Sequence, residues 1–323
     1  MNGLNEIDWD QSVWHDINTA VMQEMAKVRK AHMAIPTMCF DDSPMEVQND
    51  RINFHDQSLH IQEGLTKNFV EISQEFFLTT AQVAKETAKY GTCKTLARMA
   101  AKAVALGEDA YFFQCADRSP VVRNLHDREE LRVNFPGGVR ISNWNIERDF
   151  GLLAEANPPD ASDHDFNKVA RPIIVEPIEA NSNHVIWGQE TFKAVTRGIA
   201  KLVSKGQATD YALFLPTDAF ADTFAPPGYA SLVTTAERIK PLVEGGFYDS
   251  AVLPQDEGLL IALAGEPQKL FVGTEAHVEF IRHQEGRHYF RVAERVQYVV
   301  REARSLVLLK FRRPPHHHHQ EQE

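Results

Sequence analysis

Fourteen histidines, three cysteines and the adjacent acids Glu108 and Asp109 are residues of this 323-residue chain whose types could do chemistry. His277, His283 and His288 fall on or beside alternating runs, and Glu285-Gly286-Arg287-His288 spells E-x-x-H. Carboxylate-bridged di-iron sites use that motif twice, on bundle helices and with further glutamates. Here it occurs once, across a glycine turn, and reads as the polar tip of a hairpin. Cys115 and His126 can be paired as nucleophile and base, yet no local signature of a cysteine enzyme surrounds either. Phosphate-cradling glycine loops are missing from the sequence, as is the nucleophile elbow G-x-S-x-G. Glu108 and Asp109 are adjacent, so on a helix they point about 100° apart and are poorly placed to share a proton with each other. A structural role is expected for them, pairing with an arginine or capping a neighbouring chain. His316–His319 can bind Ni²⁺ or Zn²⁺ adventitiously, but they read as part of a polar tail with nothing to orient them. No catalytic constellation survives, so no catalytic residue, metal centre or cofactor is expected and the chain reads as non-enzymatic.

The composition narrows the class further. With 43% apolar residues the chain can bury a sizeable core, as one large domain or two smaller ones. A net charge of −11 argues against general nucleic-acid binding. The arginines from Arg282 to Arg313 give the C-terminal quarter a basic cast, which solvated strand faces and ion pairs between subunits explain more cheaply. No apolar run approaches the roughly 20 residues of a membrane span, and MNGLNEIDWD lacks the regions of a signal peptide. Cys39, Cys93 and Cys115 are an odd number at wide spacings, as expected of reduced thiols. A soluble cytoplasmic protein without a membrane partner is the expectation.

The elements that must position these residues begin with an amphipathic helix over 7–32, in which Trp9 and Trp14 are large anchors that could pack on the chain's own body or on a neighbour. Pro36 ends it. Two alternating runs, 52–61 and 68–78, flank a turn at Gly64 and read as a two-stranded arm. The strongest helical signal spans 79–114, where Val83, Tyr90, Ala97, Val104 and Tyr111 recur every seven residues. Gly91-Thr92 could break it once. An irregular region over 115–183 contains a possible hairpin around Pro136-Gly137-Gly138 and a strand at 173–178. Helices are expected at 188–205, 217–224 and 236–244, and strands at 211–215, 251–253, 259–264, 269–272, 278–283, 289–300 and 305–311. The order is α+β, without regular βαβ alternation.

Three late segments resemble the end of encapsulins: Phe271–Phe280 (FVGTEAHVEF), Tyr289–Val300 (YFRVAERVQYVV) and Ser305–Phe311 (SLVLLKF). Asp210–Leu215, Glu237-Arg238-Ile239, Gly245–Ser250, Phe76-Phe77-Leu78 and Gly107-Glu108-Asp109 with Phe113 add further matches in order. Gln114 stands where the family has glycine, and Ala303-Arg304-Ser305 where it has Pro-Glu-Ala. The stretch 118–170 has no counterpart and reads as an outward-facing insertion. Encapsulins are nanocompartment shell proteins with the major-capsid fold of the tailed phage HK97.

The resemblance implies an N-terminal helical arm over 1–39, an E-loop over 40–78 and the spine helix of a P-domain over 79–114. It further implies an insertion and connection over 115–187, an A-domain over 188–265, P-domain strands over 266–311 and a flexible tail over 312–323. It implies a homo-oligomeric icosahedral shell around a cargo such as a ferritin-like protein or a dye-decolourising peroxidase. The cargo's C-terminal peptide would dock near Ile35, Phe271, Glu275, His277, Phe280 and Tyr298. Pro226, Pro227, Gly228 and Tyr229 would lie at the five-fold pore. The alternative is a viral or prophage major capsid protein of the same fold that packages DNA.

Overall fold

The computed structural model describes residues 7–55, 58–87, 91–113, 138–143, 151–178, 186–226 and 233–313. In chain order the elements are α1 (Gln11–Val28), α2 (Ala31–Ala34), β1 (Thr37–Cys39), β2 (Glu46–Gln48), β3 (Arg51–His55), β4 (Ser58–Gln62), β5 (Thr66–Asn68), β6 (Val70–Thr79), α3 (Thr80–Val83) and α4 (Thr92–Phe113). They continue with β7 (Arg140–Ser142), α5 (Leu152–Glu155), β8 (Ile173–Val175), α6 (Gly188–Ser204), β9 (Tyr211–Pro216), α7 (Thr217–Thr223) and α8 (Thr235–Ile239). The last are β10 (Gly246–Ser250), β11 (Glu257–Ala262), β12 (Gln268–Gln284), β13 (Arg287–Val300) and β14 (Leu306–Phe311). Two compact units share them: Met1–Glu155 with Gly265–Ala303, and Ala156–Ala264 with Arg304–Glu323.

The first unit is built on a five-stranded sheet in the order β1-β12-β13-β6-β7. Its centre is the long hairpin β12–β13, closed at Glu285-Gly286, both of positive φ (52° and 74°). That pair of left-handed residues suits the right-handed twist of the flanking strands. The expected polar hairpin tip is thus present, while the two strands expected at 269–272 and 278–283 merge into one bulged strand, β12. Side chains alternate between the two faces. Val70, Ile72, Gln74 and Leu78 of β6 and Phe290, Val292, Glu294 and Val296 of β13 are buried on the same side, in matching register. Helix α4 packs against these strands, and α1 packs against α4 and β12.

Helix α4 is shorter than the sequence pattern suggests. The expected helix over 79–114 is a strand end, a single turn and then a helix from Thr92, about 33 Å long at about 1.5 Å per residue. Thr79 closes the short turn α3 with a capping box to Gln82. The Glu86 carboxylate then accepts from the backbone N–H groups of Cys93 (3.0 Å) and Lys94 (3.4 Å), capping the new start. A Cβ at Gly91 would collide with that carboxylate. Along α4, small residues let the sheet approach: a Cβ on Gly107 would lie 2.8 Å from Val139 and 3.1 Å from Ile72.

The arm over 40–78 also differs from expectation. Its runs do not pair with each other: β3 pairs with β4 inside the first run, β2 with β5, and β6 joins the main sheet beside β13. Residues of β6 have one largely apolar face to bury, and ten residues of β13 pair with it, which a marginal two-stranded ribbon could not match.

The second unit carries a sheet in the order β10-β9-β11-β14-β8. All six residues of β9 are buried, as its unbroken apolar run YALFLP predicts for a central strand. Trp187, Leu213, Leu215, Leu260, Val307 and Leu309 form the core with Ala194, Val195 and Leu202 of α6. Asp222 accepts from the N–H groups of Ile186, Trp187 and Gly188 and fixes the entry to α6. Helix α8 yields to a 3-10 turn at Lys240–Leu242, where Pro241 offers no N–H. The strand expected at 251–253 lies earlier, at Gly246–Ser250, because Tyr248 stacks on Phe214 (5.3 Å) as β10 aligns parallel to β9.

Candidate functional site

The densest polar chemistry lies in the first unit, where α1 ends and α2 begins. The arm is pinned by aromatic residues. Trp9 stacks on Phe290 (5.5 Å, 3° between planes) and tilts against Trp14 (5.1 Å), with Phe76 and Phe280 on the flanks of Phe290. Trp9 also donates from Nε1 to the Val83 carbonyl (2.9 Å). Asn18 on α1 accepts from the N–H of Val278 (2.8 Å), in a part of β12 whose register with β13 shifts.

Beyond these anchors Arg29, 8% exposed, turns inward. Its guanidinium lies 3.1 Å from Glu294 Oε1 on β13 and 3.7 Å from Glu108 Oε2 on α4. His32 Nδ1 lies 3.2 Å from Glu108 Oε1. Asp109 accepts from the backbone N–H groups of Lys30 (2.8 Å) and Ala31 (2.9 Å). The acids of Glu108 and Asp109 therefore have separate tasks, as their angular spacing requires. Asp109 caps a segment of its own chain, whereas a neighbouring chain was the expected target of such a cap.

Burial decides the charges. It raises the Glu108 carboxyl to about 7 against the pull of Arg29, and raises Asp109 to about 7 against its two backbone hydrogen bonds. Glu294 is raised well above the ordinary range by burial and by the neighbouring Glu108. Burial and Arg29 together lower His32 to about 4, so its imidazole is neutral at pH 7. Arg29 fills the space a cation would need between the two glutamates, and no group of three metal-ligating side chains occurs among the described residues. Buried acids sealed from water hold structure; they have no access to a substrate.

Strand alternation separates the residues named for peptide docking. Phe280 pairs with Phe290, and Tyr298 packs edge-on against Tyr111 (5.5 Å), both in the buried aromatic layer. Phe271 belongs instead to a small cluster with Phe69 and Val299, covered by Phe40 (5.9 Å). Ile35 is buried where α2 passes into β1. Glu275 is exposed and His277 half-buried, its Nδ1 2.8 Å from the Glu275 carbonyl oxygen and its Nε2 3.5 Å from Glu279. The six residues thus line no single surface, and only Glu275 and His277 are open. Of the pore residues, Pro226 is exposed, while Pro227, Gly228 and Tyr229 lie outside the described residues.

Glu294 and Arg29 escaped sequence reasoning. Glu294 had a visible signal: it interrupts the inward-facing positions Val292 and Val296 of an otherwise apolar alternation. Arg29, the partner it needs, lies 265 residues away, and no local pattern joins them.

Comparison with known proteins bears on the whole fold. The virus-like particle protein of Pyrococcus furiosus superposes with a TM-score of 0.63 at 11% identity, over 92% of this chain and 98% of that one. The chain has the HK97-like fold. The same likeness extends to the capsid protein of a native GTA particle (TM-score 0.53, 12% identity, 88% and 90% covered). It extends equally to Mycobacterium phage Bobi (TM-score 0.53, 12% identity, 89% and 92% covered). Residues 178–297 match the family described as "Encapsulating protein for peroxidase", in agreement with the encapsulin resemblance of the C-terminal motifs. A search of curated proteins returns no match. In this HK97-like chain no described helix is long and apolar enough to cross a membrane.

Proposed function

We propose that the chain is the non-catalytic protomer of a self-assembling icosahedral encapsulin shell in the cytoplasm. The observation that carries this reading is the encapsulating-protein match over 178–297 on a chain whose fold aligns with 98% of a virus-like particle protein. The cargo is a peroxidase or a ferritin-like protein, held by its C-terminal peptide. Glu275 and His277, the open residues of the six, offer that peptide polar contacts. The shell is divided as the sequence implies: arm, E-loop, P-domain and A-domain, with Pro226–Tyr229 at the five-fold pore. Exposed Leu59, Ile61 and Leu65 (69%, 65% and 79%) give the E-loop apolar area to lay on a second copy.

The capsid likenesses favour one rival, a DNA-packaging capsid protein. Electron microscopy of natively purified protein decides between them, together with the particle contents. Closed shells containing a co-purifying enzyme and no nuclease-protected DNA are expected. Shells filled with DNA would establish the rival, and a monodisperse monomer under native conditions would overturn both.

A further inference from the structure

The buried cluster beneath the arm does not balance its charges. One guanidinium, that of Arg29, faces two carboxyl groups whose side chains are 0% and 1% exposed, Glu108 and Glu294. Glu108 Oε2 and Glu294 Oε2 are buried with no hydrogen-bond partner among the described residues. Two bare carboxylates in such a place repel each other and lack water, so one proton shared between them is the arrangement that satisfies both. The surrounding groups offer no substitute. Lys30 and His32 face the cluster from the arm, Asp109 from α4, Glu275 from β12 and Cys39 from β1. His32 is neutral, and Asp109 is engaged by two backbone N–H groups.

We propose that Arg29, Glu108 and Glu294 form a proton-operated latch: a proton held between the two glutamates lets α1 and α2 close on the sheet, and its loss to water loosens them. The device lies within a single chain and is independent of what the assembled protein encloses.

The direction follows from what the closed arm does to each group. Closed, it holds Glu108 at about 7 and Glu294 well above the ordinary carboxylate range. Lifted, it would return both towards about 4.3. The closed state therefore binds protons that the open state releases, and closure weakens as pH rises from about 4.3 through 7, with Glu294 acting in the same direction. Asp109, also raised to about 7, adds to this trend. His32 opposes it: held at about 4 when buried, it would take up a proton on lifting below about 6.5. Above pH 6.5 the carboxyl groups act alone.

Hydrogen exchange read by mass spectrometry on the purified full chain tests the latch, with exposure times corrected for the intrinsic pH dependence of exchange. Protection of Gln11–Val28 should fall at least tenfold between pH 6 and pH 8, while that of Gly188–Ser204 should stay constant. Glu294→Gln supplies a permanently neutral donor and keeps an acceptor for Arg29, so its change should be at least threefold smaller than that of the wild type, with Asp109 supplying what remains. Unchanged protection of Gln11–Val28 in the wild type, or a loss in E294Q as large as in the wild type, would overturn the proposal. If E294Q does not fold, the infrared C=O stretch of a protonated buried carboxyl in the wild type decides. Its presence at pH 6 and weakening towards pH 9 supports the latch, and its absence at pH 6 sinks it.

Discussion

Arg29 is the single cation set against two buried glutamates, and its removal has a pH signature. Arg29→Ala leaves Glu108 and Glu294 without a counter-charge, a loss that costs about 3–5 kcal/mol for buried pairs. Their carboxyls are raised in the folded state, so Glu108 disfavours folding increasingly as pH rises from the unfolded value through about 7, and Glu294 acts in the same direction. Urea unfolding of R29A should therefore show its full deficit at pH 8 and a clearly smaller one at pH 5, where Glu108 is protonated. An equal deficit at the two pH values would contradict these charge assignments. Phe290 makes a different case at the same scale, because its ring touches Trp9, Trp14, Phe76 and Phe280. Phe290→Ala should cost about 3–5 kcal/mol at either pH, since a cavity among aromatic rings carries no charge.

Among the elements, the hairpin β3–β4 and the helix α4 show how far local pattern reaches. The apolar stripe of α4 was legible, as were Trp9 and Trp14 as anchors, because a helix repeats its buried positions every few residues. The break at Thr79–Thr92 was less legible: it depends on Glu86 reaching the N–H groups of Cys93 and Lys94 across a glycine that has no side chain to block it. Strand pairing was hidden altogether, since any two alternating runs look compatible until the sheet assigns β6 to β13. Leu59 and Ile61 of the hairpin face solvent, which separates folding from association. Leu59→Glu with Ile61→Glu should move stability by no more than about 0.5 kcal/mol per site. The same double variant should abolish particles in negative-stain images. Intact shells from the folded double variant would remove this hairpin from the subunit contact.

At the scale of the molecule, a net charge of −11 on each copy opposes crowding many copies together. Raising ionic strength from about 0.01 M to 0.15 M shortens the screening length from about 30 to 8 Å. The assembled fraction in analytical ultracentrifugation should therefore rise over that range. A fall would mean that ion pairs between subunits, of the kind the C-terminal arginines could make, outweigh the self-repulsion.

The amino-acid order by itself determined the α+β class, the long helix, the polar hairpin tip and the C-terminal motifs that resemble encapsulins. Each of these is a local periodicity or a short run, and such signals survive without knowledge of what they touch. Tertiary structure alone decided that Arg29, His32, Glu108 and Glu294 meet, and that Phe271 and Tyr298 lie apart. Contacts between residues distant in sequence, and the face a strand shows after its bulges, are set by register and packing. The paired chain fixes both, and neither is written in any one segment.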